Sequence, residues 1–297
     1  MNFLLRINQS KLFMKSFFVS LLLCAGLSVN AQNENSLLWE ISGNGLQKPS
    51  YLFGTIHMIC KEDFIMSPVV EQKFSAAEKI FLEIDMDDPA MQMKLMKLAA
   101  LTGGQSLKKI FGDDYALVDS FFKSKLQMPL VMFNGFKPMI VMSMLYLKML
   151  PCSSSESYEQ YFMTLAKQQN KDLQGLETVE DQMKVFDDIP DSVEAKNIIT
   201  MIRDYEQQQQ QFASMVATYK EQNLNKLMQS VEGSPDLMNA EEALLTRRNN
   251  NWIPVMEQNM KTGGCFFAVG AAHLAGKNGV IGLLQKAGYT VKAVKIQ

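Results

Sequence analysis

The sequence predicts an α/β fold: a central mixed β-sheet built from both chain ends, flanked by helices, with a large helical insertion in the middle. Three observations carry this. Short apolar runs bounded by Gly and Pro alternate with helical patterns near both ends of the 297-residue chain, the rhythm of strand–helix units. Between them, at about 105–170 and 191–261, apolar residues recur almost entirely at helical spacing. Hydrophobic residues make up 47% and charged residues 20%, a composition that supports one sizeable core.

Residues 1–31 stand apart from the fold. The apolar run Phe17–Leu27 follows Lys11 and Lys15, and Val29 and Ala31 are the small residues a signal peptidase needs. This pattern reads as a secretory signal peptide; its run falls short of the ~20 apolar residues of a membrane anchor. Met14 opens an equally good signal and is an alternative true start. The expected product is exported, periplasmic or extracellular, with no transmembrane anchor after cleavage. Removing the segment takes away Arg6, Lys11 and Lys15 and no acid, so the net charge moves from −2 to −5. An acidic chain is a poor partner for nucleic acid. Cys60, Cys152 and Cys265 remain. An oxidising compartment permits one bridge among three. Cys265 lies in an apparent buried strand, so Cys60–Cys152 is the expected pair, with three free thiols as the competing reading.

Residues 32–297 read as a single domain. Leu37–Ile41 and Tyr51–Phe53, joined by Gly43, Gly45 and Pro49, form a hairpin. Pro68 opens a helix after Ser67. Lys79–Ile84 is a strand and Pro89–Ala100 a helix. Pro138 starts a Met-rich helix to Leu150, apolar nearly all round and expected to be buried. Asp172–Leu176 is a strand, and Thr178 with Asp181 caps the next helix. Asp191–Val231 carries one apolar helical stripe, with Gln207–Gln211 on a solvated face. Gly233-Ser-Pro235 is a break, and helix resumes to Lys261, interrupted near Pro254. Cys265–Val269 is a strand, Gly279–Ala287 a helix and Tyr289–Ile296 a final strand.

The chain has 2 histidines, too few for a three-His zinc site. Both lie in the same pattern, Gly54-Thr-Ile-His57 and Gly270-Ala-Ala-His273, each just after a strand. With Gly at about 7% of residues, a chance pairing is roughly a 0.5% event, which favours a functional role over two ordinary core or surface histidines. Gly there is expected to turn the backbone off the strand end. Each His would then project over the carboxyl edge of the sheet, where open α/β folds bind ligands. Glu83 and Glu177 end strands in the same way, and Glu83 has apolar neighbours, so its charge needs a partner. Glu177 also reads as a helix-capping acid.

Two imidazoles and two carboxylates suit Mn, Fe, Co or Zn in a partly open site, where bound water is activated. A metal-free alternative uses one His as general base with a Glu orienting it. Arg247 and Arg248 lie on a helix about 100° apart, so one can point inward, to pair with Glu83 or Glu177 or to stabilise an oxyanion. A surface ion pair is the competing reading.

Taken together, these residues resemble the TraB/GumN family, whose wider kin include TIKI-type metalloproteases. The matching segments are Leu38-Trp-Glu-Ile41, Tyr51-Leu-Phe-Gly-Thr-Ile-His57, Phe81-Leu-Glu83, Phe136-Lys-Pro138, Gly175-Leu-Glu-Thr178 with Gln182, Arg248-Asn249 with Trp252, and Gly270-Ala-Ala-His-Leu274. The resemblance implies a fold similar to erythromycin esterase and the haem-binding ChaN-like proteins. It implies a site on His57 and His273 with Glu83 and Arg248 as partners, and selects Arg248 over Arg247. It also implies a divalent metal, Mn or Co favoured and Zn or Fe open. Met139 departs from the aromatic residue expected after Pro138.

The leading expectation is an exported metal-dependent hydrolase acting on a peptide or small molecule. His57, His273 and Glu83 would hold the metal, Glu83 or Glu177 would serve as base, and Arg248 would stabilise the oxyanion. A non-catalytic peptide- or haem-binding protein and a metal-free esterase-like hydrolase are the alternatives.

Overall fold

Parallel strands place all their carboxyl ends on one edge, and this chain uses that geometry. The computed structural model describes residues 35–232 and 241–296. The signal peptide expected at 1–31 and the break at 233–235 lie outside them. The strands are β1 Leu38–Ser42, β2 Ser50–Thr55, β3 Ile59–Cys60, β4 Lys79–Ile84, β5 Ser155–Glu156, β6 Leu173–Glu177, β7 Cys265–Gly270 and β8 Thr290–Val294. Six form one sheet in the order β6-β4-β7-β2-β1-β8. β2, β7, β4 and β6 run parallel, while β1 pairs antiparallel with both β2 and β8. The mixed sheet thus draws on both chain ends, and helices dominate the middle.

The interior strands are apolar on both faces, as burial beneath helices on both sides requires. Phe53, Phe74, Phe162 and Phe266 are fully buried. Phe266 lies 5.4 Å from Phe74 and 5.3 Å from Phe162 between ring centroids, so the helices Pro68–Ala76 and Tyr158–Gln168 close over that face. Phe267 stacks on Phe81 at 5.2 Å, with Leu52 fully buried beside it on β2. A second core, around Phe122, Val141, Leu145 and Ile198, holds the helical middle together.

Several local expectations change. The Met-rich helix, Pro138–Met149, buries Val141, Leu145 and Met149, yet Leu147 and Tyr146 are exposed. It packs one stripe against the second core. The span 191–231 is three helices, Asp191–Arg203, Tyr205–Lys220 and Leu224–Glu232. Left-handed Gln222 (φ 57°) lies at the second break, which the apolar stripe alone does not reveal. Arg247–Met260 continues through Pro254; the ring removes one helical hydrogen-bond donor, and the buried Trp252 and Met256 on either side hold the helix in place.

Cys60 and Cys152 are joined by a disulfide, the expected pair, and Cys265 is free and buried. The bridge reinforces the short β3–β5 pairing, where Ile59 faces Glu156 and Cys60 faces Ser155. Among the described residues no helix is long and apolar enough to cross a membrane.

Candidate functional site

β2 ends at Thr55, two residues before His57. β4 carries Glu83 next to its last residue, β6 ends on Glu177, and β7 ends on Gly270, three residues before His273. Four of the predicted positions thus lie at one edge of four parallel strands. The glycines work differently from expectation. Neither Gly54 nor Gly270 has a positive φ. A Cβ on Gly54 would sit 3.1 Å from the Ala271 side chain, and one on Gly270 would sit 3.3 Å from Glu83 Oε1. Their role is close approach between the two motifs and to Glu83. The Gly270 N–H donates to Glu83 Oε1 at 2.8 Å.

Arg248 is the hub. It lies on the helix Arg247–Met260 and is 7% exposed. Its Nη2 donates to Glu83 Oε2 and to Glu177 Oε1, each at 2.6 Å. Nε donates to Glu177 Oε1 at 2.9 Å, and Nη1 to the Leu244 carbonyl at 3.1 Å. The guanidinium also stacks over Trp252, 4.8 Å from the ring centre, and the Trp252 indole donates to Glu177 Oε2 at 3.1 Å. Gln182 donates to both carboxylates. Arg247 faces outward to Asp188 at 2.6 Å. Burial disfavours the Arg248 cation, but Glu83 and Glu177 more than compensate and raise its pKa.

His273 is 4% exposed. Asn249 Nδ2 donates to the Asn278 carbonyl at 2.9 Å, which turns its Oδ1 toward His273 Nδ1, 2.6 Å away. The neutral ring therefore carries its proton on Nδ1, and Nε2 accepts from Arg248 Nη1 at 3.1 Å. Burial, followed by the Arg248 and His57 charges, outweighs the attraction of Glu83 and lowers the His273 pKa to about 3. Burial opposes ionisation of Glu83, but His273, Arg248 and His57 overcome it and hold its pKa well below the carboxylate range. Since His273 is neutral at pH 7, the Arg248 guanidinium is the main cation that keeps Glu83 ionised. Glu177 is raised by burial, against the pull of Arg248.

His57 has different company. Its Nδ1 lies 3.0 Å from Glu159 Oε1. Thr55 Oγ1 donates to Glu159 Oε1 at 2.8 Å, and Ser157 Oγ to Oε2 at 2.9 Å. The His57 side chain is 70% accessible, and it lines a cavity of about 690 Å³. Desolvation beside the cavity wall works against its protonation, but the hydrogen bond and charge of Glu159 prevail and raise its pKa to about 9. Glu159 is absent from the residues singled out by sequence. It sits in the first turn of the helix Tyr158–Gln168, where an acid is unremarkable, and nothing in the sequence links it to His57, 102 positions away.

The cavity opens over the strand ends. Thr55, His57, Glu83, Arg248, Gly270 and His273 line it together with residues of the helical middle, among them Met142, Phe186, Ile189 and Val193.

A divalent metal at His57, His273 and Glu83 needs three free donors. As arranged, Arg248 engages Glu83, Glu177 and His273 Nε2 together, while His57, held at Nδ1 by Glu159, is the one ligand with a ring nitrogen to spare. His273 Nε2 and Glu83 Oε1 are 3.9 Å apart. These residues do not fit an open metal site in this arrangement. Among the described residues, Cys60, Glu62 and Cys152 form a group with ligand atoms all within 4.8 Å, which could hold a metal ion. Its sulfurs are bonded to each other, so it offers thiolates only when reduced.

Fold and site together define an α/β protein with a ligand cleft at the carboxyl edge of its sheet and a buried arginine–carboxylate cluster in the cleft wall. The chain belongs to the TraB/PrgY/gumN family, whose model matches residues 37–293. It is also similar to "Metalloprotease TIKI2" of Danio rerio, 31% identical over 87 residues. That stretch is 29% of this chain and 17% of the relative. No solved structure matches the chain significantly.

Proposed function

We propose that this protein is an exported hydrolase that cleaves an ester or amide bond in the cleft at the strand ends. The observation that carries it is His57, held by Glu159, on the wall of a cavity that Arg248 also lines. A histidine oriented by a carboxylate is the arrangement general-base hydrolysis needs. With Nδ1 held by Glu159, Nε2 is the atom that takes a proton from attacking water. Glu159 stabilises the imidazolium that results, which then returns the proton to the leaving group. Every donor of Arg248 already has a partner, so its contribution to the developing oxyanion is its charge. Glu83 and Glu177 hold that charge in place, and His273 with Asn249 buttresses it. The Cys60–Cys152 bridge supports export to an oxidising compartment.

A second reading, a metal-dependent peptidase using Mn or Co, is favoured by the partial likeness to a metalloprotease. It requires Arg248 to release His273 and Glu83. One assay separates the two: the purified chain is incubated with ester and peptide libraries, with chelator and with added Mn²⁺. The first reading expects chelator-resistant hydrolysis that drops roughly 100- to 10,000-fold in His57→Ala and falls in Glu159→Gln. Hydrolysis abolished by chelator and restored by Mn²⁺ transfers the conclusion to the second. Turnover of no library member overturns both.

A further inference from the structure

The elements around the cleft contribute different chemistry, and the difference bears on what fits. The strand ends bring polar groups. The helical segments bring an apolar wall of Met142, Phe186, Ile189, Val193, Met215 and Leu245. Except for buried Leu245, these side chains are half-buried or exposed, so a ligand in the cleft can cover them. Acids on this wall carry less net charge than their number suggests. Asp188 pairs with Arg247 at 2.6 Å, and burial lifts Glu194 to about 7.

Such a wall suits an alkyl chain better than a peptide. Each peptide residue brings a backbone donor and acceptor, and placing them against apolar side chains without partners costs free energy. A methylene chain needs no partner and gains about 0.8 kcal/mol for each CH₂ buried. Two of the six side chains are methionines, which adapt to chains of different length. The volume of about 690 Å³ falls within the ~300–1,000 Å³ of small-molecule pockets.

We propose that the cleft takes an acyl compound, a fatty ester or amide, with its carbonyl at His57 and its alkyl tail along the Met142–Phe186–Val193 wall. The inference rests on the hydrolase reading of the same site. Water adds to the acyl carbonyl and gives one proton to His57. The acyl–O or acyl–N bond breaks, the leaving alcohol or amine takes that proton, and the fatty acid departs, giving water's second proton to solvent or to the free amine as it ionises to the carboxylate. One water is consumed and no oxidant is needed.

Two measurements test it. The first is hydrolysis of p-nitrophenyl esters from acetyl to dodecanoyl by the full chain. kcat/KM is expected to rise roughly fourfold per methylene until the wall is filled. Val193→Trp, at a position 37% exposed on the proposed tail wall, should bring the plateau to shorter chains. The second is displacement of fluorescent parinaric acid from His57→Ala by laurate, and separately by an apolar heptapeptide. Displacement by laurate but not peptide, without turnover of any ester, would refute the hydrolase while supporting the acyl pocket. Ester turnover indifferent to chain length, or displacement by the peptide but not by laurate, overturns the acyl proposal.

Discussion

Gly54-Thr-Ile-His57 and Gly270-Ala-Ala-His273 span the ends of neighbouring parallel strands, one residue out of step, and their histidines end in opposite states. His57 is accessible, paired with a carboxylate and raised to about 9. His273 is buried, paired with an amide and a guanidinium, and lowered to about 3. Backbone position is shared; the partners are not. Glu159 comes from the helical middle, and Asn249 and Arg248 from the helix just before β7. A repeated motif places two rings at one edge, and residues distant in sequence decide what each ring can do.

The largest effect should separate the two rings directly. His57→Ala is expected to cut kcat/KM by roughly 100- to 10,000-fold with little change in urea midpoint, because that ring is accessible. His273→Ala strands Asn249 Oδ1 and Arg248 Nη1 in buried space and should cost about 2–4 kcal/mol of stability. Urea unfolding and ester kinetics on both variants check this. Matching profiles would mean that the rings share one role.

Arg248→Leu should cost about 3–5 kcal/mol, since Glu83 and Glu177 would face each other in buried space without the cation between them. The effect belongs to the His273 side; His57 keeps Glu159, so its NMR titration should still end well above 6.5. A variant as stable as the parent would show that the carboxylates are not held by Arg248.

Opening the disulfide probes the other side. Cys60 lies three residues after His57, and the β5 strand it clamps leads into the helix bearing Glu159. The bridge closes 92 residues, so Cys60→Ser with Cys152→Ser should lower stability by about 2–4 kcal/mol. Amide exchange should quicken at residues 55–60 and stay unchanged at 266–273. Equal quickening at both would show that the bridge steadies the whole sheet and not one motif.

Much of this architecture is legible in the sequence because it is local. Strand Lys79–Ile84 has the bounds the apolar run predicts, and the Thr178–Asp181 capping box forms. The paired Gly-x-x-His motifs and the two strand-end acids come together at the carboxyl edge of the sheet, as their places after or at the ends of predicted strands imply. What escapes is pairing at long range. Glu159 is an ordinary first-turn acid until Thr55 and Ser157 orient it toward His57. Asn249 reads as a helix residue until Asn278 fixes its amide. The exposed Tyr146 and Leu147 of the Met-rich helix are missed for a related reason: hydrophobicity on every face does not say which face is buried.

The smallest effect on stability, and the most direct view of the comparison, comes from pH. The protein has two histidines, so imidazole-labelled NMR reports one resonance set for each. One should titrate near 9 and the other near 3. The signs differ. His57 is raised above its ordinary 6.5, so its pairing stabilises the fold fully below pH 6.5 and is lost as pH rises through about 9. His273 is lowered from 6.5, so its contribution is present above 6.5 and is lost as pH falls toward 3, where the unfolded chain takes up a proton the native ring refuses. Glu159→Gln removes only the first term. The variant should be less stable than the parent below pH 6.5, by no more than the ~0–1 kcal/mol of an accessible ion pair that water screens. The difference should vanish above pH 9, and the His273 titration should not move. As His57 acts as a base only when neutral, kcat/KM of the parent should climb with pH and level off near 9, and in Glu159→Gln it should level off at lower pH. A Glu159→Gln profile that still levels near 9 would show that some group other than Glu159 sets the state of His57.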